Sequence, residues 1–253
     1  MKKQKKLVVG NWKMYPLMLD EVKKLSSVVK KISSTLKRTN VVVCPPFVYI
    51  PLLQKLPTKN LFLGAQNVTA EMVGALTGEV SYAQISQFKV DYVIVGHSER
   101  RKMGEDDDLI NKKVRSIVSA GMNAILCVGE STRDHNGDYF NFVREQIVRG
   151  LKDVSKKNIS QVVIAYEPVW AIGAREAMSS RDLHEMSIYI RKVLRELYGI
   201  LGDSVLILYG GSVDRMNAGE LVKEGNVSGL LVGRQSLDAK GFAEIIKSVD
   251  AIK

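Results

Sequence analysis

The chain has 253 residues, a length typical of one large domain, and its apolar fraction of 45% is sufficient for a sizeable core. No apolar run approaches the roughly 18 residues of a membrane span. The run behind the basic N-terminus, Leu7–Val9, is too short for the core of a signal peptide. We therefore expect a cytoplasmic protein without a membrane partner, folded as a single domain over residues 1–253.

The net charge of +10 comes from 37 Lys and Arg against 27 Asp and Glu. A basic surface attracts nucleic acid, anionic lipid or a phosphorylated metabolite. The chain lacks an aromatic-studded basic stripe, an RNP-type motif and a zinc finger, so we expect no nucleic-acid partner. A solvated basic surface that helps to steer an anionic substrate is the favoured interpretation. Cys44 and Cys127 form no CxxC pair, so buried thiols are expected rather than a zinc or redox site.

Short β-rich runs recur along the chain and alternate with segments of helical period. The helical period is clearest over Glu21–Leu36 and Asp182–Leu197, where apolar residues recur at spacings of three and four. The strand–helix repeat predicts an α/β fold, a parallel (β/α)₈ barrel with eight strands. A doubly wound sheet is the alternative, but it would need a GxGxxG turn where the chain reads GNWKMY. The predicted strands are Lys6–Asn11, Asn40–Cys44, Leu61–Gln66, Tyr92–Gly96, Ala124–Val128, Val162–Tyr166, Val205–Tyr209 and Gly229–Val232.

Polar and small residues cluster directly after these strands. Because all strands of such a barrel point the same way, these residues share one rim, where barrels of this type carry out chemistry. Taken singly, each also fits a structural role: a solvated lysine, a hydrogen-bonded histidine, a carboxylate at a helix start or a tight turn. The candidates are Asn11, Lys13, His97, Glu99, Glu167, Gly210-Gly211-Ser212 and Gly233-Arg234.

Glu167 stands at the tip of the strand Val162–Tyr166, within AYEPVWAIG. The strand lacks polar alternation, so we expect it to be buried on both faces. A carboxylate at this position, beside Trp170, is a candidate catalytic base, although a chance glutamate at a strand end is the alternative. Small residues after strands seven and eight predict backbone N–H groups that bind a phosphate dianion. The sequence thus predicts a phosphorylated ligand at this rim.

Eight segments stand out in order along the chain: Gly10–Met14 (GNWKM), Gly64–Val68 (GAQNV), Leu76–Ser81 (LTGEVS), Val95–Arg101 (VGHSERR), Cys127–Glu130 (CVGE), Ala165–Gly173 (AYEPVWAIG), Tyr209–Val213 (YGGSV) and Gly229–Gly233 (GLLVG). On these segments the chain resembles the triosephosphate isomerase family over essentially its full length. The resemblance implies an intramolecular oxidoreductase of glycolysis and gluconeogenesis that interconverts dihydroxyacetone phosphate and D-glyceraldehyde 3-phosphate. It implies neither a metal nor an organic cofactor.

The resemblance also assigns roles to single residues. Glu167 would move the carbon-bound proton, and His97 would polarise the carbonyl as a neutral imidazole, a pairing for which this family is a well-known example. Lys13 would offset negative charge, Asn11 would donate a hydrogen bond to the substrate, and Glu99 would organise Lys13. The backbone N–H groups expected to hold the phosphate belong to Gly173, Ser212, Gly233 and Arg234.

Two loops take their expected roles from the same resemblance. Pro168–Met178 would be a lid that Tyr209 and Ser212 latch, with Ile172 and Leu231 clamped over Glu167 to exclude water. The loop Gln66–Ser81 would join two subunits in a homodimer, with Thr77 approaching the site of the partner subunit.

Three segments depart from the family pattern. Ala174–Met178 replaces a sequence close to TGKTA, which we expect to affect lid closure more than the chemistry. Arg234 replaces a second glycine, and Lys102–Glu105 is one residue short. Two other functions stay open. A phosphosugar aldolase or epimerase would need a Schiff-base lysine inside the barrel or a metal site. A non-catalytic binding role would use the basic surface.

Overall fold

A computed structural model describes residues 4–134, 136–173 and 177–252, so residues 174–176 of the altered lid segment lie outside the described residues. Eight parallel strands close into a barrel, in which each strand pairs with the next and the last pairs with the first. The predicted barrel is therefore confirmed over the doubly wound sheet. The strands are β1 (Lys6–Asn11), β2 (Thr39–Cys44), β3 (Leu61–Ala65), β4 (Val90–Val95), β5 (Asn123–Val128), β6 (Val162–Tyr166), β7 (Leu206–Tyr209) and β8 (Gly229–Val232).

Helices follow the strands and form the outer layer. The longest have one apolar face directed at the barrel, as the sequence period predicts. Short 3₁₀ turns connect several elements, including Val169–Ala171 and Arg234–Leu237. The helices are α1 (Leu19–Ser33), α2 (Ile50–Leu53), α3 (Tyr82–Ser86), α4 (Ser98–Lys102), α5 (Asp107–Ser119), α6 (Asp138–Gly150), α7 (Ser180–Tyr198), α8 (Ala218–Glu224) and α9 (Ala239–Ala251).

The element boundaries differ from the predicted ones by a few residues. β4 ends before Gly96, because this glycine has a φ of 70° and turns the chain out of the strand. α1 ends three residues before Leu36, which is nevertheless buried. α7 begins two residues earlier than predicted, where the Ser179 hydroxyl caps it by accepting a hydrogen bond from the Asp182 N–H at 3.1 Å.

The core has two parts, because side chains alternate along each strand. One apolar cluster fills the barrel interior, and a larger one lies between the strands and the helices. In β1 the interior series Leu7 and Val9 continues to Asn11, and in β6 the series Val163 and Ala165 continues to Glu167. The strand period alone thus brings these two polar side chains to the top of the interior.

Cys44 and Cys127 are buried free thiols, as predicted, and both belong to the interior cluster. Burial raises the pKa of both thiols, so they remain protonated. Within the described ranges, no helix is both long and apolar enough to cross a bilayer.

Candidate active site

A cavity of about 590 Å³ opens at the carboxyl ends of the barrel strands. Its size lies within the range typical of small-molecule sites. Of the residues that the sequence predicts for the site, Glu99 is the exception that does not line the cavity. Glu99 instead binds the side chain of Lys13, which does line the cavity. The predicted residues in the wall are Asn11, Lys13, His97, Glu167, Gly173, Ser212, Gly233 and Arg234.

Glu167 is almost completely buried, with 3% of its surface exposed, and faces His97 across the cavity floor. One carboxylate oxygen, Oε1, lies 3.2 Å from the His97 Nε2 atom. The other, Oε2, accepts a long hydrogen bond from the Ser98 N–H at 3.4 Å. The carboxylate is therefore shielded from bulk water but keeps partners that orient it toward the cavity.

The tautomer of His97 follows from its second ring nitrogen. The Glu99 backbone N–H donates to Nδ1 at 3.2 Å in the first turn of α4, so Nδ1 carries no proton. The Glu99 carboxylate lies farther away, 3.7 Å from the same nitrogen, and Lys13 engages it. The proton of the ring thus sits on Nε2 of a neutral imidazole, which makes Nε2 a donor toward the cavity.

Lys13 reaches the cavity from the turn after β1. Its φ of 52° is unusual for a lysine, and the Gln66 side-chain amide stabilises the turn by donating to the Lys13 carbonyl at 2.8 Å and to the Cys44 carbonyl at 2.9 Å. The Lys13 N–H donates to Asn11 Oδ1 at 3.0 Å. The Asn11 oxygen is thereby occupied, and its NH₂ group is the part left to donate to a ligand.

The ammonium group of Lys13 lies 2.5 Å from Glu99 Oε1. Partial burial alone would raise the pKa of Glu99. The hydrogen bond from Lys13, together with the charges of Lys13 and Lys102, outweighs burial and lowers this pKa. Glu99 is therefore an ionised partner that fixes the position of the Lys13 side chain.

Two glycines let backbone approach the reactive side chains closely. A Cβ atom on Gly210 would stand 2.7 Å from the Glu167 Cγ, and one on Gly233 would stand 3.4 Å from the Lys13 Cε. The backbone after β7 thus packs against the carboxylate, and the backbone after β8 runs beside the ammonium group. Arg234 follows directly, is exposed, and begins a 3₁₀ turn.

The lid segment is fixed at both of its described ends. At the first end, Glu130 accepts hydrogen bonds from the Trp170 indole at 3.0 Å and from the Tyr166 hydroxyl at 2.8 Å. Burial, reinforced by the charge of Glu130, raises the pKa of Tyr166, so its hydroxyl stays a donor. At the second end, the Met178 N–H donates to the Tyr209 hydroxyl at 3.2 Å.

Sequence reasoning missed two of these supporting residues. Gln66 and Glu130 lie in segments that match the family, GAQNV and CVGE, but the sequence did not identify them as the groups that hold Lys13 and the lid. The Trp170 indole and Glu130 are 40 positions apart, and no local pattern marks such a pair. The Gln66 contact spans 53 positions.

The geometry also bears on the alternative barrel chemistries. Lys113 is buried, but it lies on α5 and pairs with Glu105 at 2.6 Å instead of facing the barrel interior. Among the described residues, no group of three or more His, Cys, Asp and Glu is arranged to hold a metal ion. The site combines a carboxylate, a neutral imidazole donor and an ammonium group, which suits proton transfer beside a carbonyl of an anionic substrate.

Comparison with known proteins agrees with this chemistry. The family model for triosephosphate isomerase matches residues 6–249. A triosephosphate isomerase from Thermoanaerobacter sp. (strain X514) is 41% identical over 244 residues, covering 95% of this chain and 98% of that protein. One from Idiomarina loihiensis is 38% identical over 245 residues, covering 96% and 97%. One from Endomicrobium trichonymphae is 39% identical over 250 residues, covering 96% and 98%. The chain therefore belongs to the triosephosphate isomerase family.

Proposed function

We propose that this protein interconverts dihydroxyacetone phosphate and D-glyceraldehyde 3-phosphate through an enediolate, as a step of glycolysis and gluconeogenesis. The observation that carries the proposal is the buried Glu167 carboxylate, 3.2 Å from the Nε2 donor of His97 in a cavity that Lys13 also lines. A carboxylate base and a neutral donor on opposite sides of a carbonyl compound are what proton transfer between adjacent carbons requires.

In the proposed mechanism, Glu167 takes a proton from carbon 1 of dihydroxyacetone phosphate and returns it to carbon 2. His97 donates its Nε2 proton to the developing oxyanion and moves protons between the two oxygens. Lys13 offsets the negative charge of the enediolate, and Glu99 keeps the ammonium group in place. The free NH₂ group of Asn11 donates a hydrogen bond to the substrate.

The phosphate group of the substrate is proposed to bind backbone N–H groups at the other end of the cavity. These belong to Gly173, Ser212, Gly233 and Arg234, all of which line the cavity. The proposal is supported by the position of Gly233, whose backbone runs beside the Lys13 side chain. A dianion there would lie between several N–H dipoles and a full positive charge.

The lid is needed for the part of the rate enhancement that a general base alone does not provide. General-base catalysis accounts for about 10²–10⁴-fold, roughly 3–5.5 kcal/mol, whereas enzymes remove about 8–23 kcal/mol of barrier. Most of the difference comes from charge stabilisation in a water-excluded site. We propose that Ile172 and Leu231, which line the cavity, cover Glu167 when the lid is closed. Closure would also limit loss of phosphate from the enediolate.

We further propose that the protein acts in the cytoplasm as a homodimer of single barrel domains, each over residues 1–253. The loop Gln66–Ser81 would form the dimer contact. Its tip carries exposed apolar side chains: Met72 is 56% exposed, Val73 79% and Leu76 45%. Such a patch is unfavourable in water unless a partner covers it. The proposal includes no nucleic-acid or membrane partner.

A coupled isomerase assay tests the proposed activity. The wild-type protein is expected to turn over both triose phosphates, and Glu167→Gln to lower kcat by about 10²–10⁴-fold, since the amide cannot accept the proton. Glu145→Gln, an exposed position on α6, is the matched control and is expected to leave kcat unchanged. An inactive wild-type protein, or a fully active Glu167→Gln variant, would refute the proposal.

A further inference from the structure

The excess positive charge of the chain is concentrated away from the catalytic cavity. The loops that lead into the strands lie at the amino end of the barrel, opposite the catalytic rim. These loops are rich in lysine and arginine, whereas acidic residues outnumber basic ones in the described loops of the rim. The basic residues concerned are Lys37, Arg38, Lys55, Lys59, Lys89, Lys152, Lys156 and Lys157. This placement argues against a steering role for the basic surface at the catalytic rim, because the surface faces away from the cavity.

Part of this end is concave. A hollow of about 770 Å³ is lined by residues at the start of β1 and β7 and by residues directly before β2, β3 and β8. We name it the basic hollow, after Lys5, Lys37, Arg38 and Lys59 in its wall. Strands of four to six residues separate it from the catalytic cavity, which corresponds to roughly 15–20 Å.

Four basic side chains of the basic hollow, those of Lys5, Lys37, Arg38 and Lys59, form no ion pair within the described part of the chain. Lys5 contacts only a neutral acceptor, Asn60 Oδ1, at 2.5 Å. The side chains of Lys37, Arg38 and Lys59 form no ion pair with any described residue. The nearby carboxylate of Asp250 is engaged by the backbone N–H groups of Lys37 and Arg38 instead.

Cations held around one concavity repel each other, and an anion seated between them relieves that repulsion. Among the described residues, the wall contributes no carboxylate of its own. The same residues include no aromatic side chain on which a nucleotide base could stack, which single-stranded nucleic acid would require. We therefore expect the wall to recognise a ligand by its negative charge and not by stacking of nucleotide bases.

We infer that the basic hollow binds a small anion that carries two or more phosphate groups, at a site separate from the catalytic cavity. Lys37, Arg38 and Lys59 bind the phosphate groups from two loops, and Lys5 adds its charge from the start of the chain. Because the groups are exposed, binding weakens steeply as the salt concentration rises.

Titration calorimetry with inorganic tripolyphosphate at low ionic strength tests this inference. The wild-type protein is expected to bind one equivalent at the basic hollow. A variant with Lys37→Gln, Arg38→Gln and Lys59→Gln is expected to bind at least about tenfold more weakly. The matched control removes the same charge from exposed helix positions, with Lys112→Gln, Lys192→Gln and Lys240→Gln, and is expected to bind as the wild type does. Equal melting temperatures verify that both variants fold.

A third variant locates the bound anion. Lys13→Gln, in the catalytic cavity, is expected to leave this binding unchanged. The inference is wrong if wild-type protein does not bind tripolyphosphate, if the control variant loses as much affinity as the hollow variant, or if Lys13→Gln abolishes binding. It is also wrong if the hollow is needed only for binding of a single-stranded RNA oligonucleotide or of phosphatidylserine vesicles.

Discussion

Glu167 owes its position to the backbone around it as much as to its own strand. The side chains of β6 that face the barrel interior alternate up to Glu167, so its side chain faces the cavity. The backbone after β7 packs against the other side of this side chain. Gly210 is the contact point, where any side chain would overlap the carboxylate stem. The base therefore occupies a slot whose shape depends on a missing Cβ atom.

Gly210→Ala is predicted to lower kcat without removing a catalytic group. The new Cβ would stand 2.7 Å from the Glu167 Cγ, so the carboxylate must shift. A shift of this kind costs about 10–100-fold in kcat, with little change in KM. Isomerase kinetics provide the measurement.

Gly219→Ala is the matched control for this prediction. It lies within α8, and its Cβ would be no closer than 3.8 Å to a neighbouring atom, Ser248 Cβ. It should leave kcat unchanged and stabilise the fold by about 0.5–1 kcal/mol, because alanine favours helix. Unaltered kcat in Gly210→Ala would show that the slot does not position the base.

The lid is the element that connects the site to the two neighbouring strand ends. Its first end is held by Glu130 after β5, and its second end by the buried hydroxyl of Tyr209 at the end of β7. Met178, which donates to that hydroxyl, is itself buried. Among the described residues of the lid, the Met178–Tyr209 hydrogen bond holds the second end, in a region where water cannot replace it.

Tyr209→Phe is predicted to loosen the lid. The Met178 N–H would lose its acceptor, and an intramolecular hydrogen bond of this kind contributes about 0.5–1.5 kcal/mol, so kcat should fall by up to about tenfold. The control is Tyr198→Phe, which removes a buried hydroxyl that donates to the Leu151 and Val154 carbonyls, away from the lid. It should lower thermal stability but not kcat, and an equal loss of kcat in both variants would contradict the prediction.

Most elements could be predicted from the sequence, because strand and helix periods are local patterns. All eight strands were predicted within two residues of their observed ends, and the site residues were placed at one rim by topology alone. The boundary at Gly96 was missed because it depends on a positive φ. The contacts of Gln66 and Glu130 depend on side chains distant in sequence, so they appear only after folding.

The two ends of the barrel carry different kinds of surface. The catalytic cavity opens at one end, and basic side chains gather at the other. An apolar loop tip, with Val73 79% exposed, projects from the catalytic end. The net charge of +10, read from composition alone, could not reveal this distribution, since it depends on which loops carry the charges.

The proposed dimer predicts a concentration-dependent mass. Wild-type protein in analytical ultracentrifugation should sediment with twice the mass of one chain. A variant with Val73→Glu and Leu76→Glu should sediment as a monomer, because buried charges at the loop tip are costly, and its kcat should fall at least about tenfold. Ile188→Glu, 54% exposed on α7, is the control and should stay dimeric. A wild-type monomer with full activity would exclude the dimer.

Glu167 is proposed to carry a proton between two carbons of a triose phosphate. Conversion of dihydroxyacetone phosphate in deuterated water, followed by nuclear magnetic resonance, is the decisive experiment, because a proton held on a carboxylate exchanges with solvent. Wild-type protein is expected to form glyceraldehyde 3-phosphate that carries deuterium at carbon 2 in part of the molecules, because exchange competes with return of the abstracted proton, and Glu167→Gln is expected to lose this catalysed incorporation. Equal incorporation by both proteins, or undiminished product formation by Glu167→Gln, would rule out the role assigned to Glu167.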